Sequence, residues 1–125
     1  MYKDFQELDI WKKGYELLMK VYDLSETFSR TETFALTAQI RRSSNSIIAN
    51  IAEAHGRFSF QDKIRVLYIA RGECLETRSH IAVAYGRKYI TEKDFHFINI
   101  EYIQLTKELN LYIKSLQKTK NLSSQ

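Results

Sequence analysis

Two glutamate–histidine pairs, Glu76/His80 and Glu92/His96, are spaced four residues apart, so that each pair would share one face of a helix. That is how metal ligands are presented in helical proteins. A di-iron bundle, however, needs Glu-x-x-His on two helices, and no glutamate here has a histidine three residues later. No further ligands accompany either pair, so no metal site is expected. Cys74, the single cysteine, falls on an apolar seam, where a thiol serves as a small hydrophobe rather than a nucleophile. His55 closes a helical segment, where a cation suits the helix dipole. The glycines at 14, 56, 72 and 86 form no phosphate-binding loop. No catalytic residue and no cofactor are expected, and the sequence reads as a non-enzyme.

The remaining chemistry is electrostatic. The net charge is +4, and it is unevenly spread. Thr37–Lys88 holds nine basic and four acidic residues, a net of +5, while the rest holds ten basic and eleven acidic, a net of −1. Such asymmetry points toward a polyanionic partner, RNA or DNA. The candidate nucleic-acid-binding residues are Arg41, Arg42, Arg57, Lys63, Arg65, Arg71, Arg78, Arg87 and Lys88. No base-reading motif accompanies them, so binding is expected to tolerate any sequence and to weaken with salt. A solvated basic face is the plain alternative, and an acidic protein docked on that face is another. Arg71 and Arg78 sit between apolar seams, where each must snorkel to water, pair with a carboxylate such as Glu53 or Glu76, or face an anion, and pairing is the commonest outcome. The eight tyrosines fall mostly on heptad positions, which makes them core residues first and base-stacking platforms second.

A second constellation lies in the segment TAQIRRSSNSIIANIAEAHGR, Thr37–Arg57. Beside its apolar stripe run Gln39, Arg42, Ser46, Asn50, Glu53 and Arg57, spaced 3, 4, 4, 3 and 4. Most of the rest of the circumference is alanine or serine. A bundle helix facing water carries more charge than this. The stripe is therefore read as an oligomer interface, with Gln39, Arg42, Ser46, Asn50 and Glu53 exchanging hydrogen bonds with a second copy of the chain. The other reading is a solvated polar flank.

Four helical segments must position these residues. Leu8, Trp11, Tyr15, Leu18 and Tyr22 mark the first, widened by Leu17, Val21, Leu24 and Phe28. Leu36, Ile40, Ser43, Ile47, Ile51 and Ala54 mark the second. The third has two seams, Leu67/Ala70/Cys74/Thr77/Ile81/Ala84 and Ile64/Tyr68/Leu75/Ala82. The fourth keeps a strict heptad from Phe95 through Ile98, Tyr102, Leu105, Leu109 and Tyr112 to Leu116. Asp4/Glu7, Ser29/Glu32, Ser59/Asp62 and Thr91/Asp94 match a capping-box spacing. Gly56 and Gly86 are expected as left-handed helix stops, and Gly72 as a point of close helix approach. Helices of roughly 20–27 residues with short connections predict an all-α, antiparallel up-down-up-down four-helix bundle. Proline, at an average usage of about 5%, would occur roughly six times in a chain of this length, and its absence agrees with a helical chain. Residues 1–117 read as the single bundle domain and 118–125 as a frayed polar tail. A lone cysteine and the lack of a long apolar run lead to the expectation of a cytoplasmic protein with no membrane partner.

The stretch from Gln39-Ile-Arg-Arg-Ser through Ser46-Ile-Ile-Ala-Asn-Ile-Ala-Glu-Ala-His-Gly-Arg57 closely resembles Q-x-R-R-A-x-x-S-I-P-x-N-I-A-E-G-x-G-R. That motif is typical of small bacterial four-helix-bundle proteins encoded in intervening sequences of large-subunit ribosomal RNA genes. Leu8-Asp-Ile-Trp11 and Ile69-Ala-Arg-Gly72 with Glu76 are similar to two further family segments. Ile48, Ala54 and Glu73 depart from the pattern, standing where proline, glycine and serine are usual. The resemblance implies a homo-oligomer, usually a barrel-like pentamer. It also implies kinship with retroelement accessory variability proteins, which bind nucleic acid and a reverse transcriptase through basic surfaces. It assigns no ribosomal function.

Overall fold

Local caps set where the turns begin. In the computed structural model, which describes residues 3–123, the side chains of Asp4, Ser29, Ser59 and Thr91 each accept from a backbone N–H of the following turn. The first two cap single 3₁₀ turns, Phe5–Glu7 and Arg30–Glu32, and the long helices start a few residues later. These are α1 (Asp9–Ser25), α2 (Leu36–Gly56), α3 (Phe60–Gly86) and α4 (Glu92–Ser123). At 17 residues α1 is shorter than expected, and at 32 residues α4 is longer. The expected frayed tail is helical as far as Ser123: Lys118, Lys120 and Leu122 are good helix formers, and no Gly or Pro interrupts residues 118–123. Residues 124–125 lie outside the described residues.

Cross-helix pairs fix the directions. Arg41 on α2 donates to Ser25 at the end of α1, while Gly14, earlier on α1, faces Ile48, later on α2. From α2 to α3 the pairs run Ser43–Thr77 and then His55–Lys63. From α3 to α4 they run Tyr68–Gln117, Arg71–Asn110 and Arg78–Asn99. Lys13 meets Glu101, and Lys20 lies over the ring of Phe97. In every set one number rises as the other falls, so each helix is antiparallel to its neighbour. α4 closes the bundle against α1, and the diagonal pairs α1/α3 and α2/α4 make no close approach.

The inward seams supply the core. Leu17 and Val21, Ile47 and Ile51, Leu67 and Ile81, and Ile98, Tyr102, Leu105 and Leu109 are all essentially inaccessible. Among them sits a hydroxyl pair, Ser43 and Thr77, fully buried and hydrogen-bonded at 2.8 Å. On α3 the seam Leu67–Ala84 is buried. Of the other seam only Ile64 is buried, whereas Tyr68, Leu75 and Ala82 face outward. The tyrosines divide likewise: Tyr102 is core, but Tyr15, Tyr22, Tyr68 and Tyr85 are exposed.

The helix stops differ from expectation. Neither Gly56 nor Gly86 has positive φ; each is the last residue of its helix. The chain leaves α2 through an extended Arg57, and the Lys63 ammonium caps the freed carbonyls of Ala54 and His55. At the end of α3 the left-handed position falls on Lys88, φ 64°. Its N–H bonds to Tyr85 O and that of Tyr89 reaches Ala84 O, the two bonds of a Schellman motif. A side chain in this region costs about 1 kcal/mol relative to glycine. Lys88→Gly is therefore expected to raise the thermal midpoint by roughly 4 °C for about 1 kcal/mol, as read by calorimetry.

Candidate nucleic-acid interface

The antiparallel frame separates the nine candidate cations. Arg57, Lys63 and Arg65 cluster at the α2–α3 turn. Arg87 and Lys88 lie at the opposite pole, the end at which α2 carries Arg41. Arg42 faces the α2/α3 side, and Arg71 and Arg78 the α3/α4 side. They form no single continuous face, because α2 and α3 hold the two poles roughly 30 Å apart.

Their partners separate them further. Arg42 is ion-paired with Glu76 and, at 3.5 Å, with Glu73. Arg57 pairs with Glu53, whose hydrogen bond pushes the guanidinium pKa up. Arg65 pairs with Asp62 at 3.7 Å. These three are largely neutralised. Arg41 instead donates to Ser25 and lies over the ring of Tyr22, and Arg87 lies over Tyr89. Lys63 spends its charge on the end of α2, and burial lowers its pKa.

Arg71 and Arg78 correct the expectation of carboxylate partners. Arg71 Nη1 donates to Asn110 Oδ1 and Arg78 Nε to Asn99 Oδ1, both at 2.9 Å. Neutral amides hold both guanidinium groups in place and leave the charge intact. Tyr68 lies beneath Arg71 at 4.6 Å, its hydroxyl accepting from Gln117. Asn99, Asn110 and Gln117 were absent from the candidate set. Their sequence signal is the spacing 99, 103, 106, 110, 113 and 117, a heptad seam on α4 carrying amides where a core seam carries aliphatics.

The α2 stripe is satisfied within its own chain. Gln39 Oε1 accepts from Arg42, Asn50 donates to Ser46 O and Oγ, and Glu53 pairs with Arg57. Glu73 and Glu76 of α3 supply the carboxylates that pair with Arg42 on the flank of α2. Gly72 also corrects an expectation: it faces open space, not a close helix. The glutamate–histidine pairs sit side by side within their helices. Burial, then the positive Arg42, lowers the pKa of His80, so at neutral pH it meets Glu76 as an uncharged donor. Among the described residues no three His, Cys, Asp or Glu side chains are grouped to hold a metal ion. Cys74 is fully buried, and burial pushes its thiol up to about 12.

The family model for 23S rRNA-intervening sequence proteins matches residues 6–111. The chain belongs to this family. Its four-helix fold is shared with a crystal structure from Bacteroides thetaiotaomicron, a protein of unknown function assigned to the S23 ribosomal protein family. The two are 31% identical, with a TM-score of 0.77 over 84% of this chain and 98% of that one. No curated protein matches. In this member of the 23S rRNA-intervening sequence family, Ile48 stands where the motif has proline, and α2 runs unbroken through it. In this chain most of the polar motif residues of α2 bond to one another or to α3. No helix among the described residues is long and apolar enough to cross a membrane.

Proposed function

We propose that this member of the family is a non-enzymatic, cytoplasmic, homo-oligomeric protein that binds RNA or DNA without sequence preference. One observation carries the reading: Arg41, Arg71, Arg78, Arg87 and Lys88 make no ion pair with a carboxylate among the described residues. Uncompensated cations on a rigid frame attract a polyanion, and phosphate contacts alone carry no sequence information. Self-association into a ring of five, which the resemblance implies, multiplies weak contacts on each subunit into avidity. The small residues that α2 presents outward, Ala49 and Ala52, support close packing of copies.

Anisotropy titrations with mixed-sequence RNA and DNA oligonucleotides are expected to give a log–log salt slope of about −0.7 per phosphate contacted on single strands. Absence of binding at low salt, or a flat slope, overturns the reading. Light scattering tests the assembly, and a mass equal to the 14.8 kDa subunit removes the oligomer. The second reading is a scaffold for an acidic protein. It is favoured by Phe34 and Phe58, which are fully exposed near opposite ends of α2. Pull-down with and without nuclease separates the two.

A further inference from the structure

The two arginines held by amides share a face with an aromatic platform. Tyr68, Arg71, Leu75, Arg78 and Ala82 recur at 3, 4, 3 and 4, one outward line along α3. Opposite them on α4 stand Asn99, Asn110, Lys114 and Gln117. Two depressions of about 330 and 340 Å³ lie along this line, one at Arg78/Asn99 and one at Arg71/Asn110. A third continues over α4 past Lys114, Gln117 and Lys118. Among the described residues no carboxylate lines any of the three. The depression between α1 and α4, by contrast, is lined by Asp23 and Asp94.

We propose that the α3/α4 groove is a track for one strand of RNA or DNA; this deepens, and rests on, the nucleic-acid reading above. Three features select the ligand. First, the arginines are positioned without being neutralised, and they stand seven residues apart, about 10.5 Å along the helix. Oriented guanidinium groups with unspent charge suit phosphates of an extended backbone. Second, Tyr68 is 40% exposed and is pinned by Gln117 and Arg71, and Leu75 is 55% exposed between the arginines. A base stacks on such a preordered flat surface at little entropic cost, and every base has a face to stack. Third, packed helix axes lie about 8–10 Å apart, which admits one strand and excludes a duplex that hides its bases. A second copy of the same face would set cation against cation.

The test uses the full chain, fluorescein-labelled oligo(U), oligo(dT), a mixed-sequence duplex of equal length and a polyglutamate peptide. Asn99→Asp with Asn110→Asp places a carboxylate on each arginine without changing side-chain shape. This double variant is expected to keep the wild-type melting temperature or exceed it, and to bind single strands more than tenfold more weakly. Tyr68→Ala is expected to weaken binding about tenfold while leaving most of the salt slope. Lys12→Gln with Lys20→Gln, two exposed lysines of α1 away from the groove, is expected to change affinity less than twofold. If the groove variants bind like wild type and Arg87→Gln with Lys88→Gln, at the far pole, does not, the groove is wrong and the broader reading stands. Equal affinity for the duplex overturns the single-strand track. Capture of polyglutamate with no binding of either oligonucleotide overturns both readings in favour of an acidic protein. Relative affinities of oligo(U) and oligo(dT) decide between RNA and DNA.

Discussion

Gly14→Ala lowers stability by about 2 kcal/mol, an expected loss of roughly 7 °C in the thermal midpoint. On intrinsic propensity alone the change should help, since alanine in a helix interior is favoured over glycine by about 1 kcal/mol. Packing decides the sign. A Cβ at position 14 would stand 2.5 Å from Ile48 Cγ2, with Leu105 and Ile47 next nearest at 3.8 and 3.9 Å. Ile48 is β-branched and buried in a helix, so its methyl has one favoured rotamer and cannot swing away. The helices must separate or the side chain must leave its rotamer. Ile48→Ala alone opens a cavity and costs about 2–4 kcal/mol. In the double variant the new methyl enters that space, so the Gly14→Ala penalty vanishes. A double-mutant cycle by urea unfolding should return a coupling of about 2 kcal/mol. Additive losses would show that α1 and α2 do not meet at this point.

Tyr102→Phe raises stability by about 1–2 kcal/mol, whereas Tyr102→Ala costs about 3–5 kcal/mol. The ring fills the centre of the bundle and is completely inaccessible. Its hydroxyl is buried with no hydrogen-bond partner among the described residues. An orphaned buried hydroxyl carries its full desolvation cost, and phenylalanine keeps the packing while removing it. Burial pushes the Tyr102 phenol far above its usual 10 and the neighbouring Cys74 thiol from 9.0 to about 12. Both groups are acids held neutral in the fold. Their stability contribution is fully present below the unfolded pKa; for Cys74 it is lost as pH climbs from 9.0 through about 12. Wild-type stability should be flat near neutrality and fall in alkali. Tyr102→Phe should fall less steeply above pH 10, and equal slopes would remove Tyr102 as a source.

The elements were legible because their signals are local. Each cap needs only four consecutive residues, and the heptad Phe95–Leu116 identifies its helix without reference to the rest. The buried seams of α2 and α3 followed from period alone. The miss at Gly86 has a physical cause: two residues further on, the fold accepts a strained Lys88 so that two carbonyls are capped. The candidate site was less legible. A list of cations does not reveal which are neutralised, because the partners come from other helices. Arg42 finds Glu73 and Glu76 thirty-odd positions away, while Arg71 finds Asn110. Frequency favours a carboxylate for a half-buried arginine, and here helix alignment supplies amides. Gly14, which had no assigned role, is the close-approach glycine, and Gly72, which had that role, faces open space.

The Ser43–Thr77 bond has a consequence for alignment. Hydrophobic contact between α2 and α3 is tolerant: a slide by one turn still sets aliphatic against aliphatic. The two hydroxyls do not tolerate it, because only one offset lets them meet: a slip leaves Ser43 with its own-helix bond to Ile40 O and takes from Thr77 its partner on α2. This small polar contact acts as a register pin. It penalises misaligned pairings of α2 with α3, and so it keeps Arg42 opposite Glu73 and Glu76.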